Sequence, residues 1–596
     1  MSKRWRVAAA VTDAAQAELA EWPATVRQLL FNRGLDTKGK VEDFLQPDYA
    51  AGVHDPFLFR QMTAACARVY RALSCGEKII VHGDYDADGV TGTTVLVSTF
   101  RNAAAALGVD PELIQAYFPH RERDGYGVRE ESVRKFAADG YTLMITVDCG
   151  IGNAAEVAVA AELGMDSIVV DHHQVPERVP DCLILHPLVE GETYPFKKLA
   201  AVGVAYKFAT GFIRFMEGKG TPLEPGLDKW LLDLVAIATV TDIMPLLGEN
   251  RVLEKFGLVV LNKTRRPGLR RLIEMTGQAF GELDTMSVGF YIGPRINAAS
   301  RMDHAEVAYR CLMAKDEREA DHYAGQLNRC NQDRQKYTED IFKAARQEVA
   351  DRHGRKSVIC VAGEGWSPGV VGIVAGRLVN EFGVPAFVFG RDGDRYVGSG
   401  RSIAEFNVID AMNAGAQHLE RFGGHPQACG LTISGPQNYG EFKLVLERCA
   451  AAKLDGLDLR PAVAIDAEMP LRDVNWELVE WLGRFEPHGE ANPRPKFLFR
   501  GLSVSAAQMI GKTSNTLRLG VRGPGVLREV KFIGFGMANR AAELSPGAAI
   551  DAVAELGVNE WNGRREIQFR LIDVKPAGEY AREAGERLAE QAGAVA

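Results

Sequence analysis

Apolar and polar positions alternate along this chain in a repeated grammar of short apolar runs, each closed by an acid or a histidine. Lys78-Ile79-Ile80-Val81-His82 has the length and β-branched content of a buried strand, and a helix is predicted from near Val90. Residues 143–147 form a second run ending at Asp148, with a helix expected over about 153–163. Residues 167–170 form a third run, ending at Asp171. Buried strands alternating with helices predict a parallel sheet with right-handed crossovers. In such sheets ligands collect at the carboxyl ends of the strands, which is where these acids and histidines stand. A longer run, residues 234–240, ends at Asp242 and predicts a helix reaching back to the same place.

From about 304 to 353 the chain is charged, helix-favouring and nearly free of Gly and Pro, as expected of a helical connector. A second α/β unit starts at residues 357–361. It continues through a helix near 369–381, a strand at 385–389 and Gly-rich loops at 398–400 and 423–424. After about 460 the texture changes to alternating polarity. Five strand-like runs (497–509, 515–522, 528–535, 549–558, 565–574) are separated by Gly, Asn and Pro turns, which suits a small barrel of the OB type. The expected fold is therefore α/β: two α/β lobes joined by a long helix, plus a C-terminal OB-type β-barrel. The expected divisions are an extension packing on the first lobe (1–75), the first lobe (76–303), the connector (304–353), the second lobe (354–458), the barrel (459–576) and a tail (577–596).

Composition narrows the class. The 596 residues exceed one core, and 46% hydrophobic with 25% charged residues is ordinary for a soluble globular protein. No apolar stretch reaches bilayer-spanning length, and the N-terminus is too polar for a secretory signal. The nine cysteines include no Cys-x-x-Cys pair, so reduced thiols in a cytoplasm are expected. The net charge of −8 argues weakly against a polyanion partner, but carboxylates that bind metal are counted in it.

Four segments carry the candidate chemistry: His82-Gly83-Asp84-Tyr85-Asp86-Ala87-Asp88-Gly89, Val147-Asp148-Cys149-Gly150, Asp171-His172-His173 and Thr241-Asp242. Singly, each has a plainer reading, as a helix cap or surface decoration. A calcium loop fails, because Val95 stands where the twelfth-position Glu is required. Together, carboxylates and imidazoles from four strand or helix ends suit a pair of divalent ions such as Mn²⁺ or Mg²⁺, a known device for phosphodiester hydrolysis.

These segments resemble the motifs of the DHH phosphoesterase superfamily, named for the triplet at 171–173. The resemblance implies that one cation is held by His82, Asp86 and Asp148 and the other by Asp88, Asp148, His172 and Asp242. Asp148 would bridge the two. Asp84 is extra to the superfamily pattern; the local turn brings it near the cations, where a place behind the ligands is expected. His173 would contact the scissile phosphate and help the leaving group depart, making it and Asp148 the catalytic pair. Other motifs are similar to the RecJ branch of single-strand DNA exonucleases. They include Pro119-His120-Arg121 with Gly125-Tyr126-Gly127, Gly293-Pro294-Arg295-Ile296-Asn297-Ala298-Ala299-Ser300-Arg301, Gly398-Ser399-Gly400-Arg401-Ser402 and Gly423-Gly424-His425-Pro426. RecJ proteins often carry Trp-His-x-Gly where this chain has Trp366-Ser367-Pro368-Gly369, and two alanines where Ala428-Cys429 stands.

This resemblance implies a 5′→3′ exonuclease on single-stranded DNA with a 5′ end, serving repair and recombination. A helicase and a single-strand-binding protein are expected as partners, and no membrane. Ser399, Arg401 and Arg121 would recognise a 5′ phosphate, with His425 beside them. Arg295 and Arg301 have two open readings, DNA contact and structural ion pairing. Phe497, Phe499, Phe532 and Phe535 are stacking candidates more readily read as core, since alternate strand positions face inward. Trp561, in a turn, is the better candidate to stack a base. The basic strip of Lys263-Thr264-Arg265-Arg266 with Arg270-Arg271 reads as a solvated helix face more readily than as a DNA track. A phosphodiesterase on short oligoribonucleotides or cyclic dinucleotides, and a non-catalytic single-strand-binding scaffold, are the alternatives.

Overall fold

The computed structural model describes residues 3–351, 357–512, 514–526, 528–561 and 563–583. It divides into two compact units, one of residues 49–459 and one that joins residues 1–48 to residues 460–596.

The larger unit holds both α/β lobes. The chain's opening strand β1 (Arg4–Val7) belongs to the other unit, so the first lobe starts at α1 (Met62–Ser74). Its sheet is β2 (Lys78–Gly83), β3 (Ile114–Tyr117), β4 (Tyr141–Val147), β5 (Asp166–Val170) and β6 (Leu183–Leu185). The order is β3-β2-β4-β5-β6 and every pair is parallel. Three helices frame the loops at the carboxyl ends: α2 (Ala87–Ala106), α3 (Ala201–Gly218) and α4 (Leu232–Thr241). α4 is apolar nearly all round, hence buried over residues 232–239, and delivers Asp242 at its C-terminus as expected. One core, from Phe59 through Leu327, runs under all of them.

A short helix α5 (Gly293–Met302) precedes the long connector α6 (Glu317–Asp351); Arg352 and His353, placed at the connector's end by the sequence, lie outside the described residues. The second lobe has β7 (Ile359–Glu364), α7 (Pro368–Phe382), β8 (Ala386–Asp392), β9 (Arg395–Arg401), β10 (Arg421–His425) and β11 (Ala428–Ser434). Its sheet runs β10-β11-β9-β8-β7. Only the β7–β8 pair is parallel: β8–β9 and β10–β11 are antiparallel neighbours in sequence, and β11 also lies antiparallel to β9, leaving β10 at the edge.

In the smaller unit β12 (Ala462–Ile465) and β13 (Ala467–Glu468) lead into β14 (Lys496–Ile510), β15 (Thr516–Arg522), β16 (Val530–Phe535), β17 (Ala549–Trp561) and β18 (Arg564–Pro576). The order β13-β14-β15-β16-β18-β17, with β14 also paired to β17, closes the sheet into the expected barrel. Phe497, Phe499 and Phe532 are fully buried in its core, where Phe499 and Phe532 pack edge to face and no base can reach, whereas Phe535 is exposed. The side chain of Trp561 and most of the 577–596 tail lie outside the described residues.

One expectation is corrected here. Residues 1–75 do not pack together on the first lobe: residues 1–48 belong with the barrel. β1 pairs in parallel with β12 over Arg4↔Ala462 to Val7↔Ile465. Trp5 is buried among Val463, Ile465 and Leu498, and its Nε1 donates to Asp573 Oδ2 at 2.8 Å. Only α1 and its neighbours pack on the first lobe.

Candidate metal centre and phosphate pocket

The loop after β2 is wound tightly enough to aim its acids. A Cβ on Gly83 would lie 2.2 Å from Thr93 Oγ1, and one on Gly89 2.4 Å from Asp84 O, so only glycine fits at either place. The Asp84 N–H donates to Val147 O at 3.0 Å, tying this loop to the end of β4. Asp86 caps α2, its Oδ1 accepting from the N–H groups of Asp88 (2.9 Å) and Gly89 (3.2 Å). Ala87 N–H donates to Asn297 Oδ1 at 2.8 Å, which is what the asparagine of the 293–301 motif does.

Asp88 reaches across to the start of α3, accepting from Ala201 N–H (2.7 Å) and Val202 N–H (2.8 Å). Asp148 sits at φ 62°, a left-handed backbone that aspartate tolerates better than most residues. Asp242 is the C-cap of α4. The chain leaves it through Ile243 at φ 57°, with Ile243 N–H on Val240 O and Met244 N–H on Thr239 O, both at 3.1 Å. That is a Schellman closure, usually made by glycine, here made by a β-branched residue at some cost in strain.

Among the described residues, three sets of donor atoms lie within 4.8 Å of one another: Asp84, Asp86 and Asp148; Asp88, His172 and Asp242; and Asp148, His172 and His173. His172 Nε2 stands 3.7 Å from Asp88 Oδ2, 3.4 Å from Asp148 Oδ1 and 3.6 Å from Asp242 Oδ2. These separations are long for hydrogen bonds, yet they suit donors around a common cation held at about 2.1 Å. His82 is in none of these sets. Its ring packs on Tyr117 and Phe136, its Nδ1 lies 3.7 Å from Cys149 Sγ, and its buried Nε2 has no hydrogen-bond partner. Asp84, expected to stand behind the ligands, has its carboxylate among them.

Without cations the cluster resists charge. Burial, then the repulsion of neighbouring carboxylates, holds Asp84, Asp88 and Asp148 well above the usual carboxylate range. Burial followed by Asp86 lifts Asp242 to about 7. Burial lowers His82 to about 4 and, with the charge of His173, lowers His172 to about 4. Asp84 Oδ1 and Asp148 Oδ1 are buried without a hydrogen-bond partner. Crowded carboxylates beside neutral imidazoles are the donor set that divalent cations neutralise, so these residues fit a pair of them.

Asp171 and His173 differ from the rest. Asp171 Oδ1 accepts from His172 N–H (2.7 Å) and His173 N–H (3.2 Å), and its Oδ2 accepts from Ile151 N–H (3.1 Å), so it pins the turn carrying both histidines. His173 Nδ1 lies 2.9 Å from Asp171 Oδ1 and 3.1 Å from the Tyr126 hydroxyl, which itself donates to Asp148 O at 2.9 Å. Burial pulls His173 down, but its bond to Asp171 and the surrounding carboxylates outweigh this and raise it to about 9. Burial opposes ionisation of Asp171 too, and the same bond carries it down to about 2. His186 supports the pair: it accepts Leu188 N–H on Nδ1 (3.0 Å), leaving Nε2 to donate to His173 O at 2.8 Å. His186 carries no motif signal, whereas Tyr126 lies inside the 125–127 motif.

Beside the acids is a group of arginines. Arg401 Nη1 donates to Ser399 Oγ at 2.7 Å, and Ser399 donates to Cys429 O at 2.9 Å. A Cβ on Gly372 would stand 3.0 Å from both Arg401 Nη2 and Ser399 Oγ, so bare backbone in the first turns of α7 faces them. Arg301 Nη1 donates to Gly369 O at 2.6 Å, and the Arg121 guanidinium lies over the Tyr85 ring at 4.6 Å. Burial, then the like charges of Arg121, Arg334 and Arg401, lowers Arg301 to about 9. Arg295 donates to Asn328 Oδ1 (3.0 Å) and to Tyr291 O (2.8 Å). Neither Arg295 nor Arg301 makes an ion pair among the described residues. His425 is exposed at the end of β10, across from Ala428.

Comparison with known proteins follows the same divisions. The family model for the N-terminal domain of the DHH family matches residues 78–239, the DHHA1 domain 355–452 and the RecJ OB domain 465–573. The single-stranded-DNA-specific exonuclease RecJ of Bacillus subtilis is 35% identical over 552 residues, covering 92% of this chain and 67% of that protein. That of Salmonella typhimurium is 31% identical, covering 94% and 96%. The chain belongs to the RecJ family. The crystal structure of RecJ in complex with Mn²⁺ from Thermus thermophilus superposes with a TM-score of 0.79 at 30% identity, covering 96% of this chain and 79% of that one. The corresponding Mg²⁺ complex gives a TM-score of 0.74. Ser367 caps α7, its Oγ accepting Gly369 N–H at 3.1 Å and donating to Glu122 Oε1 at 3.1 Å. It thereby links the second lobe to the 119–127 loop of the first.

Proposed function

We propose that this RecJ protein hydrolyses single-stranded DNA from the 5′ end, releasing 5′-mononucleotides, with two Mn²⁺ or Mg²⁺ ions. The observation that carries this is the convergence of Asp88, Asp148 and Asp242, from three segments, on His172 Nε2. One cation would be held by Asp88, His172, Asp242 and Asp148. The other would be held by Asp84, Asp86 and Asp148, with the unpartnered His82 Nε2 the remaining donor at that strand end. Bound there, the ions supply Lewis-acid charge to a phosphate and acidify a water near neutral pH.

The chain's own groups do the rest. Asp171 holds His173 Nδ1, and the imidazolium presents Nε2–H to a phosphate oxygen and then to the departing alkoxide. Tyr126 fixes the backbone of Asp148 beside it. Polarity is supported by the arginine group: Ser399, Arg401, Arg121 and Arg301 around the first turns of α7 suit a terminal phosphate, which carries more charge than an internal one. Work in the cytoplasm is supported by the nine cysteines, none of which is joined in a disulfide. No described helix is long and apolar enough to cross a membrane. A helicase that exposes single strands and a protein that coats them are the partners this activity calls for.

The deciding experiment follows a long single strand labelled at one end, with Mn²⁺. Immediate release of labelled mononucleotide from the 5′-labelled strand, with gradual shortening of the 3′-labelled one, is expected. Cleavage of dinucleotides or cyclic dinucleotides without degradation of long DNA would overturn the reading.

A further inference from the structure

His82 is a candidate cation donor whose ring is held without the usual partner. In most sites a metal-bound histidine gives its second ring N–H to a carboxylate, a carbonyl or water. His82 is 1% exposed, its Nε2 is buried with no hydrogen-bond partner, and Tyr117 and Phe136 pack on its ring. Its Nδ1 has one partner among the described residues, the Sγ of the fully buried Cys149 at 3.7 Å. Cys149 directly follows Asp148, and positive φ on either side of it, 62° at Asp148 and 110° at Gly150, bends the chain there. Two consecutive side chains thus serve one centre, the carboxylate among the donors and the thiol on the imidazole.

The other contacts of the sulfur give that bond its direction. Sγ lies 3.5 Å from Val147 O and 3.9 Å from His82 O. Carbonyl oxygens only accept, so they take the thiol hydrogen and leave a sulfur lone pair for Nδ1–H. A neutral imidazole carries one such hydrogen. With it on Nδ1, Nε2 keeps the lone pair that a cation needs. The opposite tautomer would put an N–H on Nε2, where no acceptor stands, and would ask the single thiol hydrogen to serve Nδ1 as well as the carbonyls.

Resting on the two-cation reading, we propose that Cys149 is a positioning residue: its sulfur accepts the Nδ1–H of His82 and so fixes the tautomer in which Nε2 is free to bind a divalent cation. The thiol acts through the imidazole and is not itself a donor to the ion, since Mn²⁺ and Mg²⁺ favour oxygen over sulfur ligands.

The test is Mn²⁺ binding to the full chain, read by calorimetry and by the electron paramagnetic resonance of the free ion, with thermal midpoints in EDTA alongside. The proteins are the parent, C149A, C149S, H82Q, and C149A in the H82Q background. The parent should bind two ions. C149A should bind one of them about tenfold more weakly, as for loss of an outer partner of a metal-bound histidine, and the other as the parent does. Serine and alanine leave nearly the same space and differ in a hydroxyl that can accept, so C149S should regain most of the loss. H82Q should weaken the same ion, and adding C149A to it should weaken binding no further, because the thiol acts only through the imidazole. C149V, which keeps apolar bulk and accepts no bond, replaces C149A if that variant does not fold. Parental affinity for both ions in C149A with only the thermal midpoint lowered, a C149S as weak as C149A, or an undiminished further loss in the H82Q background would overturn the proposal and assign Cys149 to packing. A parent that binds fewer than two Mn²⁺, or an H82Q protein that binds both as the parent does, would instead overturn the cation assignment on which it rests.

Discussion

Replacing Asp242 by asparagine tests whether the acid cluster exists to hold cations. The carboxylate lies 3.6 Å from a neutral His172 and is lifted, first by burial and then by Asp86, from an ordinary 3.8 to about 7. In the unfolded chain it ionises near the ordinary value. Between those two values the unfolded state has released a proton that the metal-free fold still retains, so stability falls as pH rises. At about 1.4 kcal/mol per pH unit the loss is about 2 kcal/mol by about pH 5.5 and levels off near about 4 kcal/mol above about pH 7. Asparagine keeps the shape and removes the charge. In EDTA the variant should therefore be more stable than the parent by up to that amount at about pH 8, with the gap closing in acid. With Mn²⁺ at about 100 times its Kd the parent should regain about 2.7 kcal/mol, and the variant less. Exonuclease rate should fall by at least about a hundredfold. Urea unfolding with EDTA or Mn²⁺ at the two pH values reads all of this. A variant less stable than the parent in EDTA at the higher pH, or a gap that does not shrink in acid, would refute the reasoning.

Asp148→Ala should abolish hydrolysis by orders of magnitude, since this acid belongs to two of the donor sets, while circular dichroism stays near that of the parent. Arg401→Gln should cut the preference for 5′-phosphorylated over 5′-hydroxyl ends by about tenfold, read from the ratio of kcat/KM on the two substrates. Ile243→Gly should stabilise the protein by about 1 kcal/mol in urea, because it relieves a β-branched residue at positive φ; a neutral or negative effect would show that the closure is unstrained.

How much of this was legible depends on whether each signal is local. The strand-end acids could be read because β2, β4 and β5 are short apolar runs in the middle of a parallel sheet, where both faces are buried. β3, Ile-Gln-Ala-Tyr, and β6, three residues long, are edge strands with too little pattern to detect. The barrel strands alternated cleanly and fell within a few residues of expectation. The place of residues 1–48 was illegible, because the partner of β1 is set by tertiary contact with the far end of the chain. The same holds inside the site. Spacing predicts that Asp88 stands near the cations, but not that it also holds the N-terminus of α3, nor that His82 Nε2 is left without a partner while Asp84 joins the donors.

The pairing of β1 with β12 has a consequence for how the molecule is made. Arg4–Val7 leave the ribosome before the two α/β lobes, and Ala462–Ile465 after them. The opening strand must wait, unpaired and carrying Trp5, while the α/β lobes are synthesised between. The unit that holds the barrel is thus completed only after the α/β lobes, although one of its strands is made before them. A nascent or truncated chain lacking its C-terminal region would expose both that strand and an apolar indole, the kind of segment that folding helpers bind.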